Sequence, residues 1–584
     1  MKIKDQGKNL RFLFEPWWEN GKPLIAGLLV SATVLSPAAG FFSATMAQAV
    51  IERVQQTHSF KSACLTGLLY LALALGLTLM KSLFEDFYCH WKKQELEGII
   101  ERSVYEKALS VDYSHFDNPD FFDSYKLATE KFSTQSSETL QHVFSLLSEI
   151  AQFLVYGGLI ASHSIILLLI VIASSAFAAY AQIYWSKVSV DRETAMVNER
   201  RKADYLQRLF YHQTAVADMR ASKIKEPLFS MFDSSVKNRA GVFKRYSRKE
   251  FTIDALVSIA QLGTTFAVPV YVTWGVLSGQ ISSIGVYATL IASSMALKET
   301  LNAFGWWSSQ IALGVAYAEK VKLFFNVDST VERSPGTIVP NDDPFSLVLD
   351  NVSYRYPNSN FAIRNVSLSI KPGQKVAVVG ENGVGKTTLT KLLLRLYDVD
   401  SGEIRINGHR IDEYDLTALR NKIGITFQNS ILYALSVRKN MTAYSDCDDE
   451  QLSKTLQTVG LQLDLDSQVT REFDEDGVVL SGGDAQRLCL SRLLHSKFGL
   501  LILDEPSSAL DPIAEYNLAK LIFNESPTTT IMIAHRLSTV VDADLIVLLA
   551  EGRIAEMGTH RQLMEKQGKY AQMFAKQAEG YQRL

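Results

Sequence analysis

The chain has 584 residues, of which 47% are hydrophobic and 21% are charged, and its formal net charge is -3. This length exceeds what a single hydrophobic core usually supports, so at least two domains are expected. The near-neutral charge balance excludes a protein whose affinity depends on an overall basic field, such as a nucleic-acid-binding protein. The four cysteines are scattered without metal-ligand spacing, so neither a disulfide framework nor a zinc site is predicted.

The first segment, residues 1–22, is basic and then turns aromatic in the run FLFEPWWEN. It lacks the apolar stretch and small-residue cleavage site of a signal peptide, so the amino terminus is predicted to stay in the cytoplasm. Aromatic rings beside basic residues favour a short helix that lies in the membrane interface. A disordered basic tail is the alternative.

Residues 23–325 are predicted to form a transmembrane domain of six helices. Two stretches without Asp, Glu, Lys or Arg, at residues 23–51 and 62–80, are each long enough to cross a bilayer once. Two longer charge-free stretches, at residues 150–186 and 255–297, contain short polar breaks and are predicted to be helical hairpins. A soluble helical bundle is the alternative, and four such stretches argue against it.

The distribution of basic residues predicts the orientation. The three outer connections contain only Arg53 and Lys61, whereas residues 187–250 carry fifteen Lys and Arg. Because Lys and Arg are retained on the cytoplasmic side, both chain ends are predicted to be cytoplasmic, in a multi-pass protein of the cell's inner membrane. The inner connections are too long for turns, so the helices are predicted to continue into the cytoplasm.

A change of pattern follows the last apolar stretch. Residues 326–344 are rich in turn formers and indicate a linker. From residue 345 to residue 584, short β-rich runs such as KVAVVG alternate with helical runs such as TLTKLLLRLY. This alternation predicts an α/β domain with a largely parallel sheet.

The segment GENGVGKT, Gly380 to Thr387, follows one predicted strand and opens a helix. This is the spacing of a P-loop, in which backbone N–H groups and the helix amino terminus surround nucleotide phosphates. Lys386 is expected to neutralise the outer phosphates, and the Thr387 hydroxyl is expected to ligate Mg²⁺. The predicted fold class is a multidomain membrane protein, in which an all-α six-helix transmembrane domain with long cytoplasmic helical extensions precedes an α/β P-loop ATPase domain.

A second motif is the apolar strand at residues 500–503, which ends in Asp504 and Glu505. An acid at a strand end beside a P-loop can hold Mg²⁺, and a second acid can polarise the attacking water. We assign Asp504 to magnesium and Glu505 to the water. A surface Asp-Glu pair without a role is the alternative.

The run LSGGD, Leu480 to Asp484, lies between these two motifs and is followed by AQRLCLSRLL. With it, the whole chain resembles the ABC transporter family, specifically bacterial peptide and multidrug exporters in which one polypeptide supplies six spans and one ATPase domain. The resemblance implies ATP and Mg²⁺ as ligands and a second half-transporter as partner. An identical chain is the expected partner, and a heterodimer is the alternative.

The resemblance also assigns roles to single residues. Tyr356 is similar to the aromatic residue that stacks on adenine, Gln428 to the glutamine that senses magnesium and the membrane domain, and His535 to the histidine that contacts the γ-phosphate. Ser508 to Asp511 resembles the loop that joins the two ATP sites. The LSGG segment of a second chain would close each site, its small residues offering N–H groups to a phosphate.

Three sets of site residues are thus expected. Those expected to bind nucleotide are Tyr356, Gly380, Glu381, Asn382, Gly383, Val384, Gly385, Lys386, Thr387, Thr388, Ser481, Gly482 and Gly483. Those expected to act in catalysis are Lys386, Gln428, Glu505 and His535. Those expected to hold Mg²⁺ are Thr387, Gln428 and Asp504.

Two segments depart from the family pattern. Asp484 stands where many such exporters have glutamine, and TREFDEDG, Thr470 to Gly477, replaces a stretch similar to TEVGERG. The acids of the second segment are expected either to face the basic inner loops or to be solvated.

The resemblance implies alternating access driven by ATP, with coupling contacts expected at Phe116 to Phe122 and at Tyr211 to Ser222. The expected activity is export of a peptide or an amphipathic small molecule, with membrane lipids as neighbours. A lipid flippase, a regulatory ATP sensor without transport and an importer of the same architecture are the alternatives. Lys298 and Glu299 follow the last apolar run, so they are expected to face a cavity or the inner interface.

Overall fold

The computed structural model describes residues 3–582, apart from 212, 282, 333–335, 358–361, 429–430, 507–519 and 521–526. The chain divides into two compact units. The first comprises Met1–Leu109 and Asp120–Val327, and the second comprises Ser110–Pro119 and Asp328–Leu584. A short segment of the first inner connection therefore belongs to the second unit.

The first unit is helical throughout its described residues. Its helices are α1 Ile3–Asn20, α2 Lys22–Val30, α3 Ser36–Thr57, α4 Phe60–Ser82, α5 His90–Leu109, α6 Pro119–Ala161, α7 Ile165–Tyr211, α8 Gln213–Ala221, α9 Lys225–Leu277 and α10 Ile284–Phe325. Two π-helical segments, Ser31–Leu35 and Leu83–Cys89, join α2 to α3 and α4 to α5. Such segments are rare, and they occur frequently at functional sites.

Among the described residues, four helical stretches are long and apolar enough to cross a membrane: Lys22–Thr57, Phe60–Leu109, Phe121–Ala161 and Lys225–Leu277. At most 28% of each apolar window is buried within the protein. Exposed apolar faces of this kind suit helices whose outer sides contact lipid tails. A shorter apolar segment, Ile165–Ala178, begins α7. The total of six spans stays a prediction.

Helix α1 is fixed to α6 by hydrogen bonds as well as by packing. The Trp17 indole Nε1 donates to the Ser136 hydroxyl at 2.7 Å, and that hydroxyl donates to the Leu13 carbonyl at 2.7 Å. Leu13 and Trp17 are buried, whereas the neighbouring Trp18 is 63% exposed. One face of α1 therefore packs on the helical unit, and an adjacent face carries an exposed aromatic ring.

The described residues of the second unit form two sheets. Its strands are β1 Leu347–Arg355, β2 Ala362–Ile370, β3 Lys375–Gly380, β4 Ser401–Ile406, β5 His409–Arg410, β6 Ile423–Thr426, β7 Leu500–Asp504, β8 Thr529–Ile533, β9 Leu545–Ala550 and β10 Arg553–Gly558. The antiparallel sheet has the order β2-β1-β4-β5. The other sheet has the order β10-β9-β3-β8-β7-β6 and is parallel except at β10.

The helices of the second unit surround these sheets. They are α11 Lys386–Leu393, α12 Leu416–Asn421, α13 Val437–Met441, α14 Asp449–Thr458, α15 Gly482–Leu494, α16 His560–Glu565 and α17 Lys569–Gln582. Strands β3, β7 and β8 are buried along their whole length. Such near-continuous apolar strands are typical of a parallel sheet covered on both faces. The predicted α/β domain with a largely parallel sheet is confirmed.

The strand order explains where a site forms. Strands β3, β8, β7 and β6 are consecutive neighbours and run parallel, so their carboxyl ends meet at one edge of the sheet. Ligands of open α/β sheets bind at this edge. The P-loop follows β3, and residues predicted as functional follow each of the other three strands within two positions of the strand end.

Candidate nucleotide site

The P-loop has the backbone geometry that close approach to an anion requires. Gly385 has a φ of 110° and precedes α11 directly. A Cβ atom on Gly380 would lie 2.4 Å from the Leu549 carbonyl oxygen, so a side chain does not fit there. The N–H groups at the start of α11 have no partner within the helix and carry the positive end of the helix dipole. This turn can therefore hold phosphate groups.

Lys386 is buried and folds back over the loop. Its Nζ atom donates to the Gly380 carbonyl at 2.7 Å and to the Glu381 carbonyl at 3.2 Å. Burial lowers the pKa of the Lys386 ammonium, and the negative charges of Glu505 and Asp504 oppose that shift. The ammonium is thus positioned beside the loop where phosphate charge would accumulate.

Asp504 ends β7 as a buried carboxylate, 1% exposed, and neither of its oxygens has a well-formed hydrogen bond among the described residues. Burial raises the pKa of the Asp504 carboxyl, and the neighbouring Glu505 charge raises it further, against the effect of the nearby Thr387 hydroxyl. A buried anion without a partner is unfavourable unless a cation balances it. A carboxylate and a hydroxyl are oxygen donors of the kind that Mg²⁺ binds beside nucleotide phosphates, so these two residues fit the ion.

Glu505 lies at the centre of a side-chain triad. Gln428 Nε2 donates to Glu505 Oε2 at 2.8 Å, and His535 Nε2 shares a hydrogen bond with Glu505 Oε1. Gln486 Nε2 donates to the Glu505 backbone carbonyl at 3.1 Å. Glu505 also has a φ of 52°, which is uncommon for a residue with a side chain and is concentrated at functional sites. The structure therefore brings together three residues that the sequence places far apart.

Tyr356 belongs to an aromatic cluster that the sequence did not indicate. The Tyr356 ring lies 5.5 Å from the Tyr397 ring, which in turn lies 5.6 Å from Tyr113. Lys391 Nζ lies 5.2–5.8 Å from the centroids of all three rings. A cation over several aromatic faces is attracted to each of them. The predicted adenine-contacting residue therefore shares its neighbours with the segment Ser110–Pro119.

A hydrogen bond also joins Tyr397 to the segment Ser110–Pro119. The Tyr397 hydroxyl donates to Asp117 Oδ2 at 2.6 Å. Burial, followed by the hydrogen bond to Asp117, raises the pKa of Tyr397 well above its usual range, so its hydroxyl remains a donor. Asp117 is within the predicted coupling segment Phe116 to Phe122, and its partner could not be identified from sequence spacing.

Asp112 fixes the linker to the segment Ser110–Pro119. Its carboxylate accepts from the backbone N–H groups of Thr330, Val331 and Glu332 at 2.8–3.1 Å, and from the Thr330 hydroxyl at 3.1 Å. The Ser329 hydroxyl donates to the Ser110 carbonyl at 2.7 Å. Asp112 is 3% exposed, so these bonds are shielded from water. We call this arrangement the Asp112 clamp.

The signature segment lies at the start of α15, with Ser481 as the amino-terminal cap and Gly482 and Gly483 in the first turn. Ser481 Oγ donates to Asp484 Oδ2 at 2.8 Å and accepts from the Asp484 backbone N–H at 3.2 Å. In the part of the chain that the structure describes, these bonds are local, and none joins Ser481 to the P-loop. Ser481 and Gly482 are exposed. A second surface can therefore reach them.

Two other predicted segments are placed differently. In the acidic loop Thr470 to Gly477, residues 471–476 are exposed, and Phe473 at the centre is 86% exposed. Its acids form no ion pair within the described residues. Ser508 to Asp511 lies outside the described residues.

In the first unit, Lys298 Nζ donates to the Thr265 hydroxyl at 2.9 Å, and Glu299 is exposed.

The comparison with known proteins places the chain in a class. Residues 363–508 match the ABC transporter family. A solved structure of a bacterial Atm1-family ABC exporter with ATP bound superposes with a TM-score of 0.77, at 21% identity, over 95% of this chain and 98% of that one. The chain thus contains a domain of the ABC transporter family and has the fold of an ABC exporter, with a helical unit and an α/β unit in one polypeptide.

Two curated relatives are similar in sequence as well. The ATP-dependent lipid A-core flippase of Alkalilimnicola ehrlichii is 36% identical over 334 residues, which is 55% of this chain and 56% of the relative. The ATP-dependent lipid A-core flippase of Escherichia coli (strain K12) is 36% identical over 296 residues, which is 50% of each chain. The chain thus matches about half the length of these relatives.

Proposed function

We propose that this chain is one half of an ATP-driven membrane transporter, and that it hydrolyses ATP with Mg²⁺ only when paired with a second chain. The observation that carries the proposal is the convergence of the P-loop, Asp504, Glu505, Gln428 and His535 at one sheet edge. A purely structural role would not require Gln428 and His535 to hold the Glu505 carboxylate. It would also not require a positive φ at Glu505.

The geometry supports distinct roles for these residues. Lys386 and the N–H groups of the P-loop would hold the phosphates, and Asp504 with Thr387 would hold Mg²⁺, which neutralises charge on the transferring phosphate. Glu505 would accept a proton from the attacking water. Gln428 and His535 would fix the carboxylate so that one oxygen points to that water. Tyr356 would stack on the adenine.

The requirement for a second chain rests on Ser481 and its neighbours. They are exposed, and their described hydrogen bonds stay within the start of α15. Small residues with free N–H groups at a helix amino terminus suit a phosphate supplied from outside the chain. We therefore infer that each ATP is enclosed by the P-loop of one chain and the signature of another. An identical chain suffices, because one chain carries both halves.

For the substrate, we favour a lipid or other amphiphile over a peptide. Two relatives that match half of this chain are named as lipid A-core flippases. Their names describe those proteins, so they support the lipid flippase for this chain without assigning a particular lipid. We also propose that the chain lies in the inner membrane with both termini in the cytoplasm, and the basic inner connections support that orientation.

The proposal is tested by the Glu505→Gln variant in lipid nanodiscs. We expect ATP hydrolysis to fall by about 10²-fold or more, as for the loss of a general base, while ATP binding is retained. The control is Glu565→Gln, because Glu565 is an exposed acid of the same unit whose one ion pair among the described residues is with Arg561. Full hydrolysis by Glu505→Gln would contradict the catalytic assignment. A second assay separates the two substrate classes. ATP-dependent transfer of lipids and ATP-dependent transport of defined peptides are measured in proteoliposomes and compared.

A further inference from the structure

Helix α17 packs on the loop that carries His535. This loop connects β8 to a short 3-10 helix, Leu537–Val540. On α17, Tyr570, Met573 and Phe574 pack in the same hydrophobic cluster as that short helix. Residues three and four positions apart lie on one face of a helix. One face of α17 is therefore turned towards the loop.

Gln577 continues this face and bonds to the backbone of the loop. Its Nε2 atom donates to the His535 backbone carbonyl at 2.9 Å, and its Oε1 atom accepts from the Leu537 backbone N–H at 2.9 Å. Because one backbone group is an acceptor and the other is a donor, a single orientation of the amide serves both. We call this pair of bonds the Gln577 bridge.

The first turn of α17 is fixed as well. Lys569 Nζ lies 3.2 Å from Oε1 of the P-loop residue Glu381, but both side chains are largely exposed, and exposed ion pairs contribute little. The stronger contacts are buried. Tyr570 is 0% exposed, and its hydroxyl shares a hydrogen bond with His560 Nδ1 at 2.9 Å. These contacts set the position of the helix, and with it the position of Gln577.

The His535 imidazole depends on the backbone that carries it. The side chain is 39% exposed, so packing alone does not hold it, although its Nε2 atom bonds to Glu505 Oε1. Groups that act in catalysis must be held within about 0.5 Å of their working position. A misplacement of about 1 Å can lower a rate by about 10²-fold. The two bonds that fix the backbone of this loop therefore bear on the reaction.

We propose that Gln577 is a positioning residue for ATP hydrolysis, which acts by holding the backbone on both sides of Arg536 so that His535 meets Glu505. This inference rests on the proposed function and adds a residue of α17 to it. Among the described residues, the Gln577 amide bonds to the loop and to neither Glu505 nor the P-loop. Its loss should therefore slow the chemical step and leave ATP binding intact.

The test is Gln577→Met, which keeps the length of the side chain and removes both the donor and the acceptor. Hydrolysis by the full chain in nanodiscs is measured over a range of ATP concentrations. We expect kcat to fall about fivefold or more, with the KM for ATP changed by less than about twofold. The matched control is Gln572→Met, since Gln572 is an exposed glutamine on another face of α17. An unchanged kcat in Gln577→Met would overturn the proposal.

The same change in a His535→Ala background separates positioning from general stability. If Gln577 acts through His535, Gln577→Met should lower the residual hydrolysis of His535→Ala no further. An equal loss in both backgrounds would show that Gln577 only stabilises the fold, and would also overturn the proposal.

Hydrogen exchange at the Leu537 amide tests the Gln577 bridge without ATP. We expect exchange about tenfold faster in Gln577→Met than in the wild type, and no change in Gln572→Met. Unchanged exchange in Gln577→Met would refute the bridge itself. A wild-type chain that does not hydrolyse ATP would instead refute the proposed function, so the two failures can be told apart.

Discussion

At the scale of single residues, Asp504 shows how a ligand site can reduce stability. Its carboxylate is 1% exposed and without a well-formed hydrogen bond among the described residues, and burial raises its pKa. An acid whose folded-state pKa is raised destabilises the fold at pH values where it is ionised. The residue is therefore best explained by the cation that we propose it holds, and less well by a contribution to the ligand-free fold.

We predict that Asp504→Asn raises the thermal stability of the full chain without nucleotide or metal, by roughly 1 kcal/mol. The reason is that the amide removes an unbalanced buried charge. Calorimetry in nanodiscs would detect the change, and the difference from the wild type should close as the pH falls through the raised pKa of Asp504. Added Mg²⁺ and ATP should stabilise the wild type more than the variant, because the variant lacks the carboxylate that would hold Mg²⁺. A destabilised variant at neutral pH would contradict this account.

A second prediction concerns Asp484, which replaces a glutamine common in similar exporters. The Ser481 hydroxyl donates to the Asp484 carboxylate at 2.8 Å, so that hydrogen is not available to a phosphate. A carboxylate near phosphate is also repulsive. We expect Asp484→Gln to lower the KM for ATP about fivefold, equivalent to about 1 kcal/mol.

ATP titrations of hydrolysis rate would measure that change in KM. Asp484→Asn is the matched control for volume, since it removes the charge while keeping a short side chain with an acceptor oxygen. If the charge is responsible, both variants should lower KM. An unchanged KM in both would show that the signature does not meet phosphate in the way we propose.

At the scale of elements, the Asp112 clamp joins parts of the chain that are about 220 positions apart. Three consecutive backbone N–H groups converge on one buried carboxylate. Hydrogen bonds to a charged acceptor are stronger than neutral ones. The clamp therefore orders the start of the linker against the segment Ser110–Pro119.

We predict that Asp112→Ala increases hydrogen exchange at the amides of Thr330, Val331 and Glu332, by about tenfold or more, because local opening becomes easier. Mass spectrometry of the exchanged full chain measures this directly. The matched control is Asp117→Ala. It removes a carboxylate of the same segment that binds Tyr397 and, among the described residues, forms no hydrogen bond with the linker. Equal exchange in the wild type and Asp112→Ala would show that the clamp does not order the linker.

These elements also show what the sequence could reveal. The P-loop was predictable because a strand, a turn and a helix follow one another without interruption in the chain. The two acids were predictable because an apolar run ends in them. The general fold class was predictable from apolar length and from alternation, and it is confirmed. The bond from Tyr397 to Asp117 spans 280 positions, and the cluster around Lys391 contains only residue types common in any domain. No spacing rule identifies such pairs.

At the scale of the whole molecule, the proposal that two chains complete each ATP site predicts complementation. Lys386→Ala disables the P-loop, and Ser481→Arg disables the signature, so each variant alone should be inactive in ATP hydrolysis. A mixed dimer of the two variants would contain one site with both defects and one site with neither. We therefore predict that co-expression restores part of the hydrolysis.

The mixed dimers are isolated with two different affinity tags, and their hydrolysis is compared with that of each variant alone. A matched control pairs Lys386→Ala with Lys386→Ala carrying the second tag, because this dimer has no intact site. No recovery in the mixed dimer, although both chains are present and folded, would argue against sites shared between chains.

The membership of Ser110–Pro119 in the second unit bears on how the protein is made. This segment leaves the ribosome long before Tyr397 or the linker is synthesised. Domains generally mature as units during synthesis, the amino-terminal one first. Here the carboxy-terminal unit takes a component from upstream, so a fragment that begins at the linker would lack the acceptor for Tyr397 and the carboxylate for the linker. Assembly of the catalytic unit must wait until the preceding helices have been inserted and have left that segment within reach.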